Sequence, residues 1–102
     1  MNSEELQVAA FEIILNSGNA RSIVHEAFDA MREGNYALAE EKLKESNDEL
    51  LKAHQSQTHL LQEYAGGKEV NVEIIMVHAQ DHLMTSILLK DIVYDLCEIY
   101  KK

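Results

Sequence analysis

The chain has 102 residues, of which 46% are apolar, and a formal net charge of −9. This length suits one domain, residues 1–102, and the acidity argues against binding to nucleic acid or to an anionic membrane surface, because both attract clustered Lys and Arg. The single cysteine, Cys97, excludes an internal disulfide and a Cys-x-x-Cys zinc site.

Residues 1–15 carry acidic side chains where a secretory signal peptide would be basic. No apolar run approaches the ~20 residues that a membrane-spanning helix requires. We therefore expect a cytoplasmic protein.

The chain contains no proline, so long helices are permitted throughout. An apolar stripe with helical spacing runs along the first 32 residues and keeps its phase across Gly18. It predicts one helix that is bent or briefly broken near Gly18, rather than two helices in different directions. Gly34 suits the C′ position after this helix, and Asn35 can cap the next one.

The second segment has heptad spacing and is expected to end at Gly66 and Gly67. The third segment, from about residue 70 to the end, is apolar on two sides, and such a helix is buried on more than one side. One row contains Ile74, Val77, Met84, Leu88 and Ile92, and the other contains Ile75, Leu89, Val93, Leu96 and Tyr100. We expect one side to pack on the other two helices and the other side on a copy of itself. The sequence thus predicts an all-α, antiparallel three-helix bundle that oligomerises through helix 3.

The stretch VHAQDHLMT places His78, Asp81 and His82 at i, i+3 and i+4, which is one face of a helix. Asp81 falls in the first apolar row, and a buried ionised carboxylate is costly unless it is paired or bound to a metal. Two interpretations are open. The carboxylate could bond to a neighbouring helix, or copies of Asp81 could converge on an oligomer axis and share a hard cation such as Mg²⁺.

The two histidines of this stretch allow three interpretations. The spacing of HAQDH resembles that of the inverted zinc motif H-x-x-E-H, with Asp in place of Glu. A neutral imidazole could instead accept a phosphoryl group if its other nitrogen is oriented by a hydrogen bond. Otherwise His78 and His82 simply lie at a subunit interface. In the second segment, His54 and Gln57 could satisfy each other's hydrogen bonds or orient an active imidazole across the bundle.

Three motifs carry a resemblance to a known family: HAQDHLMTSILLKD at 78–91, SGNARS at 17–22 and AHQSQT at 53–58. Over essentially its whole length the chain resembles the lactose/cellobiose-type IIA component of the bacterial phosphoenolpyruvate-dependent sugar phosphotransferase system. The resemblance implies homotrimers of three-helix subunits. It also implies that each subunit accepts a phosphoryl group from the histidine phosphocarrier protein HPr and passes it to a cysteine of the IIB component, which phosphorylates the sugar during import.

The resemblance assigns roles to individual residues. His78 matches the phosphorylated histidine, and Asp81 matches the aspartate that binds a divalent metal, expected to be Mg²⁺, on the trimer axis. His82, Gln80 and Gln57 are expected to support His78.

Ala79 is more typical of the cellobiose and chitobiose branch than of the lactose branch, so it favours a β-linked disaccharide of that kind. Two other hypotheses are open. One is a metal-dependent helical oligomer that acts as a scaffold or sensor without phosphoryl transfer. The other is a two-component histidine phosphotransfer domain, which is disfavoured because Gln80 and Asp81 do not fit the Lys and Gly expected after its histidine.

Overall fold

The computed structural model describes all 102 residues, which form three helices: α1 (Ser3–Arg32), α2 (Tyr36–Ala65) and α3 (Ile74–Tyr100). A helix of 30 residues is about 45 Å long, and the molecule measures 50 × 19 × 17 Å. The helices therefore lie side by side along the long axis, and their short connections make neighbours in the chain antiparallel. The predicted all-α three-helix bundle is confirmed.

Helix α1 begins and ends at residues suited to those positions. The side chain of Asn2 accepts a hydrogen bond from the backbone N–H of Glu5 at 2.9 Å. After Arg32 the chain turns at Gly34, whose φ of 75° favours glycine, and Asn35 then accepts a hydrogen bond from the N–H of Leu38 at 3.2 Å. Both predictions for this turn are confirmed.

The structure forms α1 as one helix that is α-helical through Gly18, without a chain reversal. The bend at that position stays a prediction. Gly66 and Gly67 end α2 as predicted, with Gly67 at a φ of 87°.

Helix α3 begins at Ile74, about four residues later than predicted. The preceding Glu73 is extended, with φ −115° and ψ 145°. Val70 and Val72 extend the apolar pattern toward the N-terminus, but they are β-branched and flank Asn71, so helix propensity there is low. Instead, this segment is held by α1: the amino group of Met1 donates to the carbonyl of Glu69 at 3.2 Å.

Small residues give α1 its central place in the bundle. Its buried side includes Ala10, Ser17, Ala20 and Ala27, all with no exposed surface, so the backbones of the other helices can approach closely. Helix α1 packs against both α2 and α3. Between α2 and α3, by contrast, grooves open along the molecule, lined at one end by Glu40 and Lys101 and at the other by residues such as Leu61 and Gln80.

No other part of the chain packs against the outer side of α3. The side chains of the predicted row are half to nine-tenths exposed: Ile74 90%, Val77 54%, Met84 53%, Leu88 59% and Ile92 48%. This row is called the outer row below. In the second predicted row, Val93 is buried and Ile75, Leu89 and Leu96 are partly buried, whereas Tyr100 is exposed. None of the three helices is long and apolar enough to cross a membrane.

Candidate functional site

Helix α3 presents His78, Asp81 and His82 on one face, as the spacing predicted. Successive residues of an α-helix are rotated by about 100°, so His82 lies about 40° to one side of His78 and Asp81 about 60° to the other. His78 and Asp81 are exposed, whereas His82 is partly buried toward α1. His78 therefore stands between the outer row and the seam where α3 meets α1.

The rings of His78 and His82 are in edge-to-face contact, with centroids 6.1 Å apart and an angle of 72° between the ring planes. His82 packs toward Gly18, where a methyl group in place of hydrogen would lie 4.0 Å from Cε1 of His82. Burial lowers the pKa of His82 most, and the positive charge of Arg21 lowers it further. Its Nδ1 is buried and has no hydrogen-bond partner. His82 is therefore a neutral ring beside the exposed His78.

Two further residues lie beside this histidine pair. A terminal nitrogen of Arg21 donates a hydrogen bond to Oγ1 of Thr85 at 2.7 Å. The Thr85 hydroxyl in turn donates to the carbonyl of Asp81 at 2.8 Å and lies 3.3 Å from that of His82. Sequence reasoning assigned no role to Arg21 or Thr85. Arg21 lies in the SGNARS motif, which was the only available signal.

Gln57 and Gln80 come together, but not at His78. Nε2 of Gln57 donates to Oε1 of Gln80 at 3.1 Å and lies 3.9 Å from the sulfur of Met84. Gln80 is about 160° around α3 from His78. The pair therefore joins α2 to α3 on the far flank of α3, within the same subunit.

The expected bond between His54 and Gln57 is not formed. Nδ1 of His54 lies 3.5 Å from the hydroxyl of Thr58, on its own helix, and Gln57 bonds to Gln80 across the groove. His54 is exposed while Gln57 is buried, because Gln57 is turned about 60° further around α2, toward α3.

Asp81 lies in the outer row and is exposed in the subunit. None of the ion pairs or side-chain hydrogen bonds of the subunit involves its carboxylate, so the bond to a neighbouring helix is not formed within one copy. No group of three His, Cys, Asp or Glu side chains that could hold a metal ion comes together in the subunit.

Comparison with known proteins matches residues 8–101 to the lactose/cellobiose-specific IIA subunit of the phosphotransferase system. The chain belongs to the lactose/cellobiose-specific IIA family. The IIA subunit is 43% identical over 102 residues to the lactose-specific EIIA component of Staphylococcus epidermidis, covering 100% of this chain and 98% of that protein.

Two solved structures are also similar to this IIA subunit. PtcA from S. mutans is 75% identical, with a TM-score of 0.98 and full coverage of both chains. The IIA subunit of the chitobiose branch of the Escherichia coli system, solved in complex with HPr, is 35% identical, with a TM-score of 0.81 and coverage of 94% of this chain and 93% of that one. The IIA subunit is thus a phosphotransferase-system component, and its family carries phosphoryl groups in sugar transport.

Proposed function

We propose that His78 accepts a phosphoryl group from HPr and passes it to a cysteine of a IIB component. The observation that supports this assignment is the contrast between the two histidines of the motif. His78 is exposed, whereas His82 is partly buried and kept neutral beside it. Only an exposed imidazole can be reached in turn by the active sites of two other proteins.

In each transfer step one bond to phosphorus forms as another breaks, and a proton moves to the leaving group. A nitrogen lone pair of His78 attacks phosphorus, and the bond between phosphorus and the histidine of HPr breaks. The leaving imidazole of HPr takes up the proton that the phosphorylated ring of His78 gives up. In the second step the thiol of the IIB cysteine gives up its proton, its sulfur attacks phosphorus, and the leaving nitrogen of His78 takes up a proton. The edge-to-face contact with His82 restricts rotation of the His78 ring, which favours in-line attack.

The outer row supports assembly of three subunits through α3. Side chains such as Val77, Met84 and Leu88 are about half exposed, and a contiguous apolar stripe of this kind is unfavourable in water. The proposed trimer places α3 of each subunit around a common axis and buries the outer row against its copies.

The same symmetry gives Gln80 and Gln57 a role at a neighbour's His78. Relative to the middle of the outer row, His78 lies roughly 75° to one side and Gln80 roughly 85° to the other. In a cyclic trimer the flank of each α3 that carries His78 faces the flank of the next α3 that carries Gln80. The Gln57–Gln80 pair of one subunit would then support the His78 of the next.

Asp81 is the proposed metal ligand, one from each subunit at the trimer axis. Its carboxylate lies in the outer row without a partner in its own subunit, and carboxylate oxygens suit Mg²⁺. When bound, the cation would neutralise the repulsion between the three carboxylates.

The sugar proposed for the pathway is a β-linked disaccharide of the cellobiose or chitobiose type, on the basis of Ala79. This residue is buried in the core of the subunit, so it identifies a branch of the family and makes no contact with sugar. Phosphorylation of cellobiose, chitobiose and lactose by the reconstituted chain of HPr, this subunit and the cognate IIB and membrane components tests the choice. Preference for lactose would contradict it.

The phosphoryl acceptor is tested by incubating the protein with phosphoenolpyruvate, enzyme I and HPr. We expect an acid-labile, base-stable phosphoryl mass increment that is absent in His78→Ala and retained in His59→Ala, an exposed histidine on α2. No increment on the folded wild type would leave the metal-dependent scaffold as the remaining hypothesis.

A further inference from the structure

Three buried polar atoms of the subunit lack a hydrogen-bond partner, and they belong to neighbouring residues. They are Oγ of Ser17, Nε of Arg21 and Nδ1 of His82. Ser17 and Arg21 are one turn apart on α1, and His82 packs beside Gly18 between them. Buried polar groups are almost always bonded in folded proteins. Unused hydrogen-bonding capacity is therefore concentrated on the seam beside His78.

Arg21 is also unusual among the basic residues. It is the only Lys or Arg in the first 31 residues of a chain whose net charge is −9. Arg32, its counterpart on the same helix, pairs with Asp29 at 2.8 Å. Arg21 pairs with no carboxylate, and its one side-chain hydrogen bond goes to the neutral hydroxyl of Thr85. Because no carboxylate neutralises this half-buried guanidinium, its positive charge is available to bind an anion.

We propose that Arg21 binds the phosphoryl group carried by His78, with Thr85 holding the guanidinium in place when His78 is unmodified. The guanidinium is bonded to Thr85, whose hydroxyl contacts the backbone carbonyls of Asp81 and His82, and the His82 ring contacts the ring of His78, so the cation lies close to the phosphoryl site. The phosphoryl oxygens offer acceptors to the guanidinium, whose planar fork suits phosphate. The SGNARS motif thereby gains a chemical role at the site formed by HAQDH. This inference rests on the proposed function.

The measurement is the equilibrium ratio of phosphorylated IIA to phosphorylated HPr, starting from phosphorylated HPr and unmodified IIA and quantified by mass spectrometry at alkaline pH. This ratio reports the stability of the phosphohistidine and does not depend on how tightly the two proteins dock. We expect Arg21→Met to lower the ratio about tenfold, the effect of losing one charge-assisted hydrogen bond. Arg21→Lys keeps the charge but loses the planar fork, so it should lower the ratio less than Arg21→Met does.

The matched control is Arg32→Met, which removes an exposed arginine from the same helix and should leave the ratio unchanged. Circular dichroism shows whether each variant is folded. If Arg21→Met does not fold, Arg21→Gln carries the test, because it can still bond to Thr85 but has no charge.

Three results are distinguishable. If the wild-type protein takes up no phosphoryl group, both the proposed function and this inference are wrong. A wild-type protein that is phosphorylated with the same ratio as the Arg21 variants overturns this inference alone. A change in the rate of transfer at an unchanged ratio also overturns it, because Arg21 would then contact the partner protein rather than the phosphoryl group.

Discussion

Gln57 donates a hydrogen bond to Gln80 at 3.1 Å, across the groove between α2 and α3 and on the opposite flank of α3 from His78. Neither glutamine can therefore act on the His78 of its own subunit. In the proposed trimer the pair faces the His78 of the next subunit, so the site would be completed between copies.

Mixed trimers test this arrangement. Gln80→Ala should slow phosphoryl transfer, and His78→Ala should abolish it. Refolding the two variants together should restore a fraction of fast transfer, because a subunit with Gln80 can then sit beside a subunit with His78. The rate is measured by quenched-flow transfer from phosphorylated HPr. If the mixture shows no faster phase than Gln80→Ala alone, the glutamine does not act across the interface.

The two histidines of the motif should differ sharply on substitution. His78→Ala should abolish phosphoryl acceptance with helicity and assembly intact, because the exposed ring contributes little to the core. His82→Ala should slow transfer without abolishing it, since it removes the ring against which His78 is oriented. Transfer assays and circular dichroism check both variants. Equal loss of activity in the two variants would contradict the assignment of His78, rather than His82, as the phosphoryl acceptor.

Gly18→Ala should stabilise the protein. Gly18 is in the interior of α1 without a positive φ, and glycine in a helix interior costs about 1 kcal/mol relative to alanine. The added methyl group would lie 4.0 Å from Cε1 of His82, an ordinary contact distance. The melting temperature should rise by roughly 4–8 °C. Gly34→Ala is the contrasting control, because its φ of 75° strains alanine and should lower the melting temperature.

Stability should depend on pH through Glu63, which holds the turn after α2. The hydrogen bond from Lys68, at 2.7 Å, lowers the pKa of Glu63 from its ordinary value of 4.5. The folded state then favours the ionised form, so this contribution is complete well above pH 4.5 and is lost as pH falls through the lowered pKa. Glu63→Gln should be slightly less stable than wild type at pH 7, and the difference should vanish in acid. A difference that grows on acidification in thermal melts would contradict this assignment.

Trimer stability should depend on metal while Asp81 is ionised. Two unit charges roughly 4 Å apart repel by about 4 kcal/mol at an effective dielectric constant near 20. Chelation should therefore lower the melting temperature, and Mg²⁺ should restore it. Asp81→Leu should form a trimer that is indifferent to chelator, because its neighbours Val77, Met84 and Leu88 are apolar. Asp81→Asn should be less stable, since its amides would lack a full set of partners.

Sedimentation and thermal melting of the three proteins, with and without chelator, check these expectations. A wild-type trimer whose melting temperature does not change with chelator would contradict a metal ion on the trimer axis. A monomeric wild type would contradict both the metal and the assembly.

Helix number and helix ends were predictable because they follow from local rules. Apolar periodicity predicted α1 as one helix, and Gly34, Asn35, Gly66 and Gly67 ended or began helices through their own backbone and side-chain chemistry. The start of α3 was placed too early because apolar periodicity continues through Val70 and Val72, while the chain there is extended and held by α1.

The outer row and the shared face of His78, Asp81 and His82 were likewise predictable from helical spacing. Contacts between helices were not. The bond from Arg21 to Thr85 depends on how far α1 is shifted along α3, and that shift is set by the packing of many side chains at once. The Gln57–Gln80 bond has the same origin, and spacing within α2 wrongly suggested His54 as the partner of Gln57.

The central position of α1 has a consequence for the order of folding. Helices α1 and α2 are adjacent in the chain and share buried alanine and leucine side chains in the core, so this hairpin can form early from contacts at short sequence separation. Helix α3 must find the finished hairpin by closing a longer loop, and it meets mainly α1. When α3 has docked on the hairpin, the apolar side chains of its outer row are still exposed to solvent. Newly synthesised subunits would therefore be most prone to non-specific association just after α3 docks. The net charge of −9 would oppose this association, because single copies repel one another electrostatically.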